Sequence, residues 1–249
     1  AIFDAHLLLL EDPALVDATH AAVAAGRLPA ARAWAAAVDR AAAAWDALED
    51  PYQRARAADV RDVGHAPFFE ELAAKTAAVF RQRGVTRLVA LSPHSYDVFK
   101  NHYPPVSEGF APQHYVQFLA ELLATGRLKP QRPLEVTLAF HDPCYLARHN
   151  AEIAAPRQVL DALPGVTRVE LAHSGLETLC CGGGGGRMYL ETAAGERFSD
   201  VRVEEARAVG VQLLATACPY CIVCLEDSVK ARKLPLLVKD VAEIVALTL

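Results

Sequence analysis

Glu135-Val136-Thr137-Leu138-Ala139-Phe140-His141-Asp142-Pro143-Cys144 decides how this chain folds. Its first six residues are β-branched and apolar enough to form a strand. The strand runs out at a proline-bearing turn, and the turn delivers a cysteine. The same arrangement returns downstream. Val211 to Ala215 predicts a buried strand, and Cys218-Pro219-Tyr220-Cys221 follows it. Thr86 to Leu91 and Arg168 to Leu171 predict two more short strands. Ala154 to Leu163 and Val201 to Val209 predict helices. Phe110 to Ala124 carries a helical apolar pattern through Tyr115, Phe118, Leu119, Leu122 and Leu123. Alternating strands and helices define an α/β class with a largely parallel sheet. In open sheets of this kind, sites lie in loops beyond the carboxyl ends of the strands.

All six cysteines, Cys144 to Cys224, fall in the last two-fifths of the chain. Cys144, the adjacent pair Cys180-Cys181, and Cys218 with Cys221 are separated by intervals of about 35 residues. Three similarly spaced thiol-bearing loops can converge on one centre. An internal disulfide across the vicinal pair would need a strained peptide, so two ligands to a polynuclear group explain it better. Soft thiolates select zinc, copper(I) or iron–sulfur clusters. A secreted disulfide framework is disfavoured by the size of the chain and by the lack of a signal-peptide pattern at its start.

Five glycines, Gly182 to Gly186, follow the cysteine pair directly. They lack the Lys-Ser/Thr ending of a phosphate-binding P-loop. A backbone of Gly182 and Gly183 can instead approach an inorganic core and point N–H groups at its sulfurs, with Arg187 adding positive charge. His141, His149 and His173 lie near cysteines in sequence and are expected to hydrogen-bond around the site rather than to ligate. Cys224 falls outside the five-cysteine pattern, one helical turn beyond Cys221, and is expected to be a core residue beneath the site.

These words together resemble the CCG, or cysteine-rich, domain found in heterodisulfide reductases and in the glycolate oxidase iron–sulfur subunit. The matching text is His141 to Asn150, Ala155-Pro156-Arg157, Cys180 to Met188, Ala217 to Cys221 and Val238 to Glu243, within a resemblance running from about Pro67 to the C-terminus. The resemblance implies that Cys144, Cys180, Cys181, Cys218 and Cys221 hold one 4Fe-4S cluster, non-cubane in the best-known members, with zinc as the alternative. Family members usually carry two such motifs. Leu91-Ser92-Pro93-His94-Ser95, followed by Lys100-Asn101-His102-Tyr103-Pro104, looks like the tail of the first one with serines at both cysteine positions. Neutral hydroxyls are poor ligands beside thiolates, so the first cluster is expected to be absent and His94 to be a hydrogen-bonding residue. Two-cluster relatives cleave a disulfide between their clusters, and here one ligand set is missing.

Residues 1–64 read as a small helical bundle. Alanine-rich runs favour helix, and Leu7, Leu10, Ala14, Leu15, Trp34, Val38, Trp45 and Leu48 supply an apolar seam. Asp12-Pro13 and Asp50-Pro51 look like helix starts, with Gly26 and Pro29 at a junction. Ala1 to Asp12 and Asp50 to Gly64 resemble the helical subdomain of Enzyme I of the sugar phosphotransferase system, which docks a phosphocarrier protein. The phosphorylatable histidine motif of that family is missing, so the resemblance implies docking without phosphotransfer. The expected organisation is a helical segment at 1–64, an incomplete first cysteine-rich half at 65–133 and the CCG domain at 134–249.

A formal net charge of −5 with dispersed basic residues argues against nucleic acid. No apolar run is long enough to span a bilayer, so the chain is expected to be cytoplasmic, with peripheral membrane association left open. The leading reading is an electron-transfer subunit working with a flavoprotein or other redox subunit. A structural zinc domain and a phosphotransferase-related docking module are the alternatives.

Overall fold

The computed structural model describes residues 12–25, 30–50, 66–104, 106, 110–184 and 196–249. They fall into two compact units, one within 1–78 and one within 79–249.

In the first unit, α1 (Pro13–Ala24) and α2 (Ala30–Asp46) pack against each other. Asp12 starts α1 as the sequence predicts. Its carboxylate accepts the Ala14 N–H at 2.8 Å, and Pro13 occupies the first turn, where no N–H is needed. The seam consists of Leu15 against Ala37, Val38 and Ala42, with Trp34 and Trp45 at its edge. Small alanines let the two backbones approach. Leu48 is largely exposed and does not join this seam. Leu7 and Leu10, the junction at Gly26 and Pro29, and the second helix start at Pro51 lie outside the described residues. The next helix, α3 (Ala66–Gln82), leads in sequence to the second unit.

The second unit holds two parallel sheets. In the smaller, β1 (Arg87–Ala90) pairs with β2 (Ala111–His114). Helix α4 (Pro93–Asn101) lies between them in sequence, and α5 (Tyr115–Ala124) follows. The apolar pattern of Tyr115, Phe118, Leu119, Leu122 and Leu123 thus lies on α5, and the helix does not reach back to Phe110. Pro112 has no N–H to give a helix and disfavours helical geometry in the residue before it. The strand takes residues 111–114 instead, and α5 starts where the Gln117 side chain reaches back to the His114 N–H at 2.9 Å.

The larger sheet has four strands in the order β4-β3-β5-β6, all parallel. They are β3 (Val136–His141), β4 (Val166–Val169), β5 (Leu213–Thr216) and β6 (Leu237–Asp240). A single helical turn, α6 (Cys144–Ala147), follows β3, and α7 (Ala154–Asp161) leads on to β4. Helix α8 (Phe198–Ala208) leads into β5, α9 (Pro219–Ala231) follows β5, and α10 (Val241–Leu247) closes the described chain. The period-two alternation sorts β3 and β5 into two cores. Leu138, Phe140, Leu213 and Ala215 join Val159, Leu160 and Ile244 on one face. Ala139 and Leu214 join Val203, Ala206, Leu225 and Val229 on the other. Both faces are covered, which is why these strands are nearly continuous apolar runs.

β4 begins two residues earlier than the sequence predicts, because Val166 registers with Val136. Gly165 permits this with φ +79°, and a Cβ there would sit 2.9 Å from the Leu134 carbonyl carbon. Helix α8 also begins three residues early, at Phe198.

Candidate metal centre

The chain order places β4 and β5 on opposite sides of β3. The point where connections diverge is a crevice beyond the carboxyl ends of β3 and β5, the standard ligand position in open α/β sheets. His141 and Thr216 pair across those two strand ends. Each strand then passes within a few residues to a cysteine, Cys144 or Cys218.

Cys144 opens the single turn of α6. Cys218 caps α9, with Pro219 in its first turn and Cys221 one turn in. A helix N-terminus carries partial positive charge and unpaired N–H groups, which favour thiolates there. The Cys180-Cys181 pair comes in on the loop after a short 3-10 turn, Gly175–Glu177. Cys144 Sγ lies 4.0 Å from Cys180 Sγ, and all six cysteines are free thiols. A disulfide would require about 2.05 Å. Cys181, Cys221 and a ring nitrogen of His141 lie within 4.8 Å of one another, all buried. The described geometry thus brings the sulfurs of the predicted residues into one cluster of neighbours.

The glycine run reaches one of these sulfurs with its backbone. The Gly182 N–H donates to Cys180 Sγ at 3.3 Å, and Gly182 has φ +81°. A Cβ on Gly183 would lie 2.8 Å from Cys224 Sγ and 3.6 Å from Cys181 Sγ. Gly183→Ala is therefore expected to push these sulfurs apart and to cut metal content several-fold while the fold persists, as metal analysis and circular dichroism would show. Arg187, with Gly185 and Gly186, lies outside the described residues. Cys224 is half-buried against the apolar core under the site, and its thiol interacts with that of Cys181.

Thiol acidities differ sharply within the cluster. The neighbouring Cys221 thiol and a hydrogen bond from His94 bring Cys218 down to about 5. Cys221, bonded to Cys181 and Cys218 and fully buried, is pushed far up. Cys180 holds Cys144 up as well. One thiolate is thus already favoured at neutral pH, while Cys144 and Cys221 keep their protons until a cation replaces them.

His94 is a site residue whose importance the sequence only hinted at. Hydrogen bonding to Cys218 raises its basicity. Its ring lies 4.1 Å from that of Tyr145 and 5.1 Å from that of Tyr220, and Tyr145 stacks on His149 at 4.3 Å. Ser92, at a position where the resembling family has cysteine, caps α4 by accepting the His94 N–H at 3.2 Å. Ser95 is exposed. Asp97 on α4 accepts from Asn101 at 2.8 Å and Asn150 at 2.9 Å, tying this helix to the Cys144 loop.

Asp142 and Arg157 carry a role that spacing alone did not reveal. Asp142 is fully buried and receives two parallel bonds from Arg157, at 2.8 and 2.9 Å. It also accepts the Gly175 N–H at 2.8 Å, while its own carbonyl accepts from Thr178 at 2.9 Å. Arg148 donates to the carbonyls of Leu176 and Thr178. These bonds lock the loop carrying Cys180-Cys181 onto the loop carrying Cys144.

Residues 138–226 match the family described as CCG, cysteine-rich domain, and residues 1–56 match the N-terminal family of PEP-utilising enzymes. The chain is similar to a probable iron-sulfur-binding oxidoreductase, FadF, of Bacillus subtilis, 41% identical over 188 residues, which are 75% of this chain and 27% of that protein. It is 35% identical over 193 residues to the EtfAB:quinone oxidoreductase of Syntrophomonas wolfei, covering 74% of this chain and 27% of that one. It is 32% identical over 179 residues to one subunit of the dihydromethanophenazine:CoB--CoM heterodisulfide reductase of Methanosarcina barkeri, covering 71% of this chain and 44% of the relative. The chain therefore spans less than half the length of these relatives. Among the described residues, no helix is long and apolar enough to cross a membrane.

Proposed function

We propose that this chain is an iron–sulfur electron-transfer part of an oxidoreductase, with one 4Fe-4S cluster held by Cys144, Cys180, Cys181, Cys218 and Cys221. The observation that carries the reading is the gathering of free thiols from three loops at the switch point of a parallel sheet. The donor set supports it chemically: soft sulfur ligands, a backbone N–H already aimed at a sulfur, and a glycine where a side chain would intrude. Two buried polar nitrogens beside the thiols, His141 Nε2 and Arg202 Nη2, have no partner among the described residues. Anionic sulfur would satisfy them.

When bound, such a cluster supplies one-electron transfer at a potential set by charge, hydrogen bonds and burial. The chain's own residues hold and shield it. The Asp142–Arg157 lock keeps the loops in register, the α9 N-terminus favours thiolates, and the Tyr145, Tyr220 and His94 rings cover one side. A flavoprotein or other redox subunit is the proposed partner. The proposed organisation is a helical segment at 1–64, a cysteine-free half-repeat at 65–133 and the cluster domain at 134–249.

Anaerobic purification with iron, sulfide and zinc analysis and a visible spectrum tests this reading. Iron and sulfide in equal amounts with a broad charge-transfer band support it. Stoichiometric zinc without sulfide sinks it. In the double variant Ser92→Cys with Ser95→Cys, cluster content is expected to stay at one, because among all residues before Cys144 there is no cysteine to complete a second set. A second equivalent of iron and sulfide would refute that expectation.

A further inference from the structure

Arg202 lies outside the cysteine motif, and its pair with His141 is buried. Arg202, on α8, has a completely buried side chain. Its Nη1 donates to the His173 carbonyl at 3.0 Å and pairs with Glu205. Glu205 in turn accepts the His173 N–H at 2.7 Å. These bonds fix the guanidinium plane. Its Nε then donates to His141 Nδ1 at 3.2 Å.

The direction of that bond is forced. A guanidinium has donors only and does not lose its proton in proteins. Nδ1 of His141 must therefore present its lone pair. An imidazolium carries protons on both nitrogens and could not accept at Nδ1, so the ring in this pair is neutral. A neutral ring with Nδ1 accepting carries its one proton on Nε2. Nε2 is buried and has no acceptor among the described residues, and neither has Arg202 Nη2. A ring nitrogen of His141 lies within 4.8 Å of the buried Cys181 and Cys221 sulfurs, and since Nδ1 is taken, Nε2 is the one left to serve them. The Cys221 charge is also among those the guanidinium senses.

We propose that Arg202 and His141 form a buried donor relay to the sulfurs at Cys181 and Cys221, in which Arg202 is a positioning residue that fixes His141 as its Nε2–H tautomer. This rests on the iron–sulfur reading above and adds to it a named control of potential. A buried donor without an acceptor bears its desolvation cost unrecovered. Anionic sulfurs remove that cost, and the bonds strengthen as the group gains an electron. The same geometry argues against His141 as a ligand. A ligating imidazole normally donates its other N–H to an acceptor, and here the other nitrogen faces an obligate donor.

Two measurements on the full chain test the relay separately from the cluster assignment. Long-range proton–nitrogen NMR with labelled histidine, on metal-free protein, reads the tautomer. The Nε2–H form is expected for His141, and Arg202→Met is expected to abolish the preference. A proton on Nδ1 in the unvaried chain overturns the proposal whatever metal the chain binds. In protein carrying its cluster, His141→Leu is expected to keep its iron and shift the midpoint potential to more negative values. It should also remove one exchangeable-proton coupling in pulsed EPR. His141→Gln, which retains an N–H near the Nε2 position, is expected to restore most of the shift. Loss of iron from a folded His141→Gln variant, or a strong nitrogen coupling in the unvaried chain, makes His141 a ligand and overturns the relay. A chain that takes up no iron removes the iron–sulfur reading and the target of the relay with it, while the tautomer result still decides what Arg202 does.

Discussion

Cys181→Ser is expected to abolish bound iron, or leave under about a tenth of it, in a chain whose circular dichroism is unchanged. Cys181 is the most connected sulfur of the centre. It lies beside Cys221 and His141, interacts with Cys224, and borders the space that a side chain at Gly183 would fill. A serine hydroxyl neither ionises readily nor offers a soft donor. Retention of full iron content and an unaltered spectrum in this variant would show that the thiols gather for another reason. The other four replacements are expected to act in the same direction, each lowering iron content or altering the cluster signature.

Arg157→Ala is expected to be the most damaging substitution that touches no cysteine. Arg157 is mostly buried, and its guanidinium spans Asp142 and Glu170, the latter at 2.8 and 2.9 Å. Removing it takes the paired, hydrogen-bonding guanidinium from the buried Asp142 carboxylate. Breaking a buried pair from one side costs about 3–5 kcal/mol. For a unit of this size that corresponds to a fall in Tm on the order of 10 °C. The Gly175–Cys181 loop should loosen too, so iron should be lost at temperatures where the fold survives. A double replacement of Asp142 and Arg157 by leucines should recover part of the stability but not the loop order, since the bond to the Gly175 N–H goes with the carboxylate. Thermal unfolding of the three variants separates these effects. An Arg157→Ala chain as stable as the parent would mean that the lock contributes nothing.

Much of the fold was legible because local pattern and burial agree. Parallel strands covered on both faces must be nearly all apolar, and Val136 to Phe140, interrupted by Thr137 alone, and Leu213 to Ala215 are. Asp12-Pro13 reads as a helix start because capping is a local interaction. The strand at Ala111–His114 was not legible. Its composition carries no strand pattern, and pairing with Arg87–Ala90 defines it. The same holds for the start of β4, where register with β3 overrides composition.

The sequence by itself determined the candidate ligands, since thiol chemistry and spacing are written in residue identities, and with them the α/β class and the placement of Cys144 and Cys218 after strands. Only the tertiary structure decided what surrounds them. Arg202 lies 61 residues from His141, Arg157 lies 15 from Asp142, and His94 meets Cys218 across most of the second unit. Nothing local marks such pairs. They are chosen by desolvation: a buried charge or imidazole must find a partner wherever the folded chain brings one within hydrogen-bond reach, and that reach is a property of the packed sheet and not of spacing.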